Sequence, residues 1–148
     1  MGKGKMNTSF HYLLMANQAL LHKRLLNGLS DTCLTLGQPK VLDYLKEHNG
    51  VSQKEIAAGC HIEAASLTSI LSRMEEKGMI ERKMLNGNRR SLYVFLTDFG
   101  KELCDTVEQE FHNIEEIVFA GITEEERQKF MDTFVKIYGN LTSSPDAP

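Results

Sequence analysis

The chain has 148 residues, 41% of them hydrophobic and 25% charged, the balance of one soluble globular domain rather than a disordered or fibrous chain. Its formal charge of −3 excludes a strongly basic protein that coats nucleic acid without discrimination. Cys33, Cys60 and Cys104 are odd in number and form no C-x-x-C pair, which excludes the pattern of a disulfide scaffold or a zinc finger and fits a reducing cytoplasm.

No apolar run approaches the roughly 18 residues that span a bilayer, and the polar start MGKGKMNTS has no signal-peptide core. The expectation is a cytoplasmic protein with no membrane partner. The charge is uneven along the chain: six basic against three acidic residues before Val51, seven against six from Val51 through Phe99, and four against eleven from Gly100 onward. Arg82, Lys83, Arg89 and Arg90 form a basic cluster, with no Asp or Glu from Arg82 through Ser91.

In chain order, Leu13, Leu14, Leu20, Leu21 and Leu25 recur at near-helical spacing and predict a helix from Thr8 to about Asn27, stopped by Gly28. A second helix is expected after Pro39, with Val41, Leu42 and Leu45 on its apolar face, Thr35 and Gln38 as a capping box, and Asn49-Gly50 as the closing turn. Ser52 and Glu55 form a clearer capping box that opens a short helix through Ala58, after which Gly59 is expected to turn the chain. From Glu63 to Lys77, Leu67, Ile70, Leu71 and Met74 predict a longer helix closed by Gly78. Two helices around a tight turn, behind a supporting helix, are the sequence form of a helix-turn-helix.

The period then changes to two. Leu92, Val94 and Leu96 alternate with Ser91, Tyr93 and Phe95 as a strand, Met79 to Met84 is its expected partner, and Asn86-Gly87 between them signals a hairpin with a basic tip. Thr97 is placed to cap a long helix whose Phe99, Leu103, Val107, Phe111, Ile114 and Val118 fall three or four apart, ending by Gly121. Thr123 and Glu126 open a last helix with Phe130, Phe134, Ile137, Tyr138 and Leu141 in one stripe. The fold class expected is mainly α with a small β-hairpin wing.

This order of elements resembles the MarR family of winged helix-turn-helix transcriptional regulators. The residues that carry the resemblance are Leu34-Thr35, the run SRMEEKGMIER from Ser72 to Arg82, and the wing through LTDFG, Leu96 to Gly100. The resemblance implies a single chain, 1–148, in which 8–34 and 98–141 form N- and C-terminal dimerisation helices, 35–97 is the DNA-binding lobe, and 142–148 is a disordered tail. It also implies that Arg90 occupies the position of the family's wing Arg and Asn88 that of its wing Asp. Asn88 can hydrogen-bond but cannot form the ion pair. A slim guanidinium suits the negative potential of a narrow minor groove, which makes Arg90, with Arg89 beside it, the expected wing contact.

The resemblance makes Glu63 to Lys77 the recognition helix, whose reading face is Ala65, Ser66, Thr68 and Ser69, with Arg73 beyond. No Arg, Lys, Asn or Gln stands where it could make a two-point contact with guanine or adenine, so DNA shape and the wing are expected to carry much of the selectivity. Glu63 is read as a cap, and Arg73, Lys54, Arg82 and Lys83 as phosphate contacts or, individually, solvated surface residues. The partners implied are double-stranded DNA, a second copy of the chain in a homodimer, and a small-molecule or other effector. The function implied is repression from a pseudo-palindromic site.

No cofactor and no metal site is expected, since His11, His22, His48, His61 and His112 form no H-x-x-x-H or H-E-x-x-H motif. The cysteines are read as inert packing residues. An enzyme is disfavoured by the lack of a Gly-rich phosphate loop or G-x-S-x-G elbow. A winged helix that binds only protein is the alternative kept open by the weak reading face.

Overall fold

The computed structural model describes residues 5–85, 87 and 91–143. Its elements are α1 (Phe10–Gly28), α2 (Gln38–Glu47), β1 (Val51–Ser52), α3 (Gln53–Cys60), α4 (Ala64–Glu76), β2 (Ile80–Lys83), β3 (Tyr93–Leu96), α5 (Asp98–Val118) and α6 (Glu124–Thr142). The chain divides into two compact units, Met1–Ile114 and Glu115–Pro148. Among the described residues, no helix is long and apolar enough to cross a membrane.

The core of the first unit is built from Leu29, Val41, Leu42, Leu45, Ile56, Leu67, Leu71, Met74, Met79, Ile80 and Val94, all essentially inaccessible to water. Each such side chain contributes on the order of 1.5–3 kcal/mol of burial free energy. The residues at the expected i, i+3, i+4 spacing on α2 and α4 supply most of them. α5 adds Leu103, Cys104, Val107 and Ile114.

The sheet is antiparallel in the order β1-β3-β2, with Ile80 opposite Leu96, Lys83 opposite Tyr93, and Val51 opposite Val94. The sequence pattern found the β2–β3 hairpin but not β1, whose two residues are too few to show a period. The expected strand from Ser91 is shorter, because pairing stops at Lys83 and Tyr93 and leaves Leu92 outside the ladder. Leu92 still accepts a 3.0 Å hydrogen bond from the Gln53 N–H through its carbonyl. Gly87 has φ +70°, while Asn86 and the expected tip residues Asn88, Arg89 and Arg90 lie outside the described residues.

Two expected turns are built differently. α2 starts at Gln38 rather than after Pro39, with Gly37 as its N-cap at φ 85°, so Thr35 does not cap it. The Gln38 half of the expected box does form: its buried side-chain oxygen accepts the Thr35 N–H at 3.0 Å. α3 continues through Gly59 to Cys60, and the residue that turns left-handed is His61, at φ 53° and ψ 47°. The His61 N–H reaches the Ala58 carbonyl and the Ile62 N–H the Ala57 carbonyl, the paired bonds of a Schellman ending with histidine in the usual glycine position. Gly59 serves closeness instead, since a Cβ there would overlap the Tyr44 ring of α2.

The second unit contains the end of α5, a turn with Gly121 at φ 77°, and α6. Thr123 caps α6 by accepting the Glu126 N–H at 3.2 Å. Phe130 stacks on Phe134 with centroids 5.3 Å apart and meets Phe119 edge-on at 6.5 Å, while the Arg127 guanidinium lies 4.3 Å over the Phe119 ring. No residue of α6 is buried.

Candidate nucleic-acid interface

α3 and α4 form the helix-turn-helix. Ser52 caps α3, its hydroxyl accepting the Glu55 N–H at 3.2 Å, so the residue that ends β1 also starts α3. α4 is anchored by Leu67, Leu71 and Met74 on one side. Its other side exposes Ala65, Ser66, Thr68, Ser69 and Arg73, and Ala65, Ser69 and Arg73 follow one another at intervals of four along the helix. The five expected recognition-helix residues therefore share a solvent-facing surface. The Thr68 hydroxyl donates to the Ala64 carbonyl at 3.0 Å, which fixes its rotamer. Glu63 is the N-cap by position, but its side chain makes no capping hydrogen bond.

The C-terminal end of α4 leads into the wing through Gly78, at φ 78°, where the Gly78 and Met79 N–H groups bond to the Glu75 and Met74 carbonyls at 3.0 Å each. This is a Schellman ending, as the expected stop at Gly78 requires.

The expected phosphate contacts are placed unequally. Lys54, in the first turn of α3, and Arg73 are exposed. Lys83 is exposed and sits 3.4 Å from Glu81, with its ammonium 5.4 Å from the Phe95 ring centroid. Arg82 is turned inward: its guanidinium donates to Glu75 at 3.1 Å, Ser72 at 3.3 Å and Gln53 at 3.3 Å, and its own N–H donates to the second Glu75 oxygen at 3.0 Å. The side-chain hydrogen bond from Arg82 is the main cause that holds the Glu75 carboxyl below its ordinary value; burial opposes it, and the Arg82 backbone N–H and charge lower it further. Glu75 and Gln53 were not legible as Arg82 partners, because the three residues lie in α4, α3 and β2, so that no period within one element relates them.

The cysteines divide. The buried Cys60 and Cys104 thiols point at the Lys40 and Leu42 carbonyls, at 3.8 and 3.4 Å. Burial raises the Cys60 thiol and pushes Cys104 up to about 11, Asp105 adding to the latter. Cys33 departs from the packing expected of it and is exposed in the α1–α2 connection, where its carbonyl accepts the Lys77 ammonium at 2.6 Å. Among the described residues, no group of three or more His, Cys, Asp or Glu is placed to hold a metal ion.

A helix-turn-helix whose second helix is open along one side, with a hairpin following directly, defines the class of winged helix-turn-helix proteins. The MarR family model matches residues 34–92, the span from the end of the α1–α2 connection to the edge of β3. The chain is 25% identical over 115 residues to the uncharacterized HTH-type transcriptional regulator YdgJ of Bacillus subtilis (strain 168), covering 76% of this chain and 70% of that protein. It is 31% identical over 108 residues to the HTH-type transcriptional regulator TtmR of Methylorubrum extorquens (strain PA1), covering 73% of this chain but only 54% of TtmR. Its fold is similar to that in the S. aureus MepR–DNA complex, with a TM-score of 0.83 at 21% identity over 91% of this chain and 99% of MepR. Over residues 34–92 and in its fold the chain is similar to the MarR family of transcriptional regulators.

Proposed function

We propose that the protein is a cytoplasmic, non-enzymatic regulator that binds double-stranded DNA as a homodimer and represses from a pseudo-palindromic promoter site until an effector releases it. The carrying observation is the division of α4: Leu67, Leu71 and Met74 are buried, while Ala65, Ser66, Thr68, Ser69 and Arg73 are left to solvent beside the basic wing. A helix docked in that way presents its first turns to a major groove. Lys54, Arg73 and Lys83 are the phosphate contacts in this reading, and Asn88, Arg89 and Arg90 supply the wing's contact. The DNA-bound state of MepR, on a similar fold, supports the same use of the lobe.

Apolar side chains left to water support the dimer. Met15 and Leu20 of α1 are 67% and 62% exposed, and Val135 and Leu141 of α6 are each 63% exposed. Burying such groups against a second copy is favourable, and a two-fold dimer sets its recognition helices roughly 34–36 Å apart, one turn of DNA. In this arrangement 8–34 and 98–141 serve dimerisation and 35–97 reads DNA.

The test is salt-dependent binding of the purified protein to the duplex beside its own gene. Arg73→Ala or Lys54→Ala should weaken binding and reduce the slope of log K against log salt by about one. Arg90→Ala should weaken binding more than replacement of any acidic residue after Gly100. Salt-independent or absent binding would reject this function and leave the protein-interaction alternative, which the small, uncharged reading face of α4 favours.

A further inference from the structure

Arg82 and Glu75 are joined twice. Both oxygens of the Glu75 carboxylate are taken by Arg82, one by its backbone N–H and the other by its guanidinium. The same guanidinium reaches Ser72 on α4 and Gln53 at the start of α3, and its side chain is only 15% exposed. One residue of β2 thus touches both helices of the reading unit. A planar fork with several fixed donors can satisfy three acceptors at once, whereas an ammonium cannot reproduce that geometry. With both hydrogens of Nη2 directed at protein oxygens and Glu75 balancing its charge, Arg82 is poorly disposed to neutralise a phosphate.

We propose that Arg82 is a positioning residue for DNA binding, clamping the first strand of the wing to α3 and α4 through Glu75, Ser72 and Gln53, and that Glu75, although acidic, is required for that binding. The inference rests on the DNA-binding reading above, and it assigns Arg82 a part different from phosphate contact. Charge and geometry make opposite predictions for Glu75→Gln. Removing a negative charge near DNA should tighten binding if only electrostatics matter. Replacing one acceptor by an amide donor facing Arg82 should weaken it if the clamp matters.

The experiment uses the full chain and two duplexes, the one beside its own gene and a random sequence of equal length, across a salt series. Binding by Glu75→Gln and Arg82→Lys should fall roughly tenfold, the scale of one lost charge-assisted hydrogen bond, with the salt slope of Arg82→Ala unchanged. Hydrogen exchange at the amides of Glu81, Arg82 and Lys83 should accelerate in Glu75→Gln while the α2 core amides stay protected, which separates loss of the clamp from global unfolding. A slope reduced by about one in Arg82→Ala, with Glu75→Gln binding as tightly as the unaltered chain, would make Arg82 a phosphate contact and overturn the proposal. Unchanged exchange in Glu75→Gln would overturn it too. If the unaltered protein binds neither duplex, the DNA-binding reading and Arg82's proposed role in it fail together. The exchange result then shows whether the clamp still has a structural role.

Discussion

The Thr97 hydroxyl donates a 2.6 Å hydrogen bond to the Gly78 carbonyl and accepts one of 3.0 Å from the Gly100 N–H. One side chain therefore caps α5 and ties its start to the turn that ends α4. The Thr97 backbone N–H adds a 3.1 Å bond to the Met79 carbonyl. Thr97→Ala should lower unfolding free energy by about 1–2 kcal/mol, the upper range for a lost cap, and Thr97→Ser should restore most of it. Urea unfolding of the three proteins decides this, and equal midpoints would remove Thr97 from the junction.

Three residues on, a Cβ added to Gly100 would overlap the Met79 carbonyl oxygen. That neighbour is backbone, so relief requires α5 to move away from the start of β2. Gly100→Ala should cost about 1–3 kcal/mol even though alanine is the better helix former. Thermal denaturation reads the sign directly, and a stabilised variant would contradict the packing described.

The three thiols should label in two classes. Cys33 is exposed, whereas Cys60 and Cys104 are buried with their thiols raised, Cys104 to about 11. Because the thiolate is the reactive form, a disulfide reagent at neutral pH should modify one thiol promptly and the others only on unfolding. Three fast thiols would mean that the α2–α3 and α2–α5 contacts open readily.

Glu75 predicts a small acid-side loss of stability. Its folded-state carboxyl is held below the ordinary value of 4.5 by Arg82, so the contribution is complete above that value and is lost as pH falls through the lowered folded-state value. Exposure to solvent keeps the effect shallow. Urea midpoints measured from neutral pH to about pH 3 should decline less in Glu75→Gln than in the unaltered chain across this window. Parallel declines would show that Arg82 does not bias the Glu75 proton.

Much of this architecture was legible because burial imposes period. Leu67, Leu71 and Met74 could be assigned to one helix face from spacing, and Thr97 and Thr123 to caps from the residues after them. Turns were harder. Gly59 carries a turn residue's signature, but its lack of a side chain is used for the approach of Tyr44, and the left-handed conformation falls on His61, a residue with no such signal. The exposed face of α4 was legible residue by residue, since the positions between buried ones must face water. Arg82 was legible as a cation in a basic run, but its partners were not, since only the fold brings Glu75 and Gln53 to it.

The smallest strand has the widest mechanical effect. Between α2 and α3, Gly50 and Gln53 donate to the Val94 and Leu92 carbonyls at 2.8 and 3.0 Å, and the Asn49 side chain accepts the Leu96 N–H at 2.8 Å. The central strand of the wing is thus riveted to the corner from which α3 departs, on the side opposite its pairing with β2. The base of the wing and the helix-turn-helix form one stamp of fixed relief rather than a flap hinged to a block. In the function proposed above, the relief of that stamp stays as these bonds set it, and what varies is where the whole impression falls.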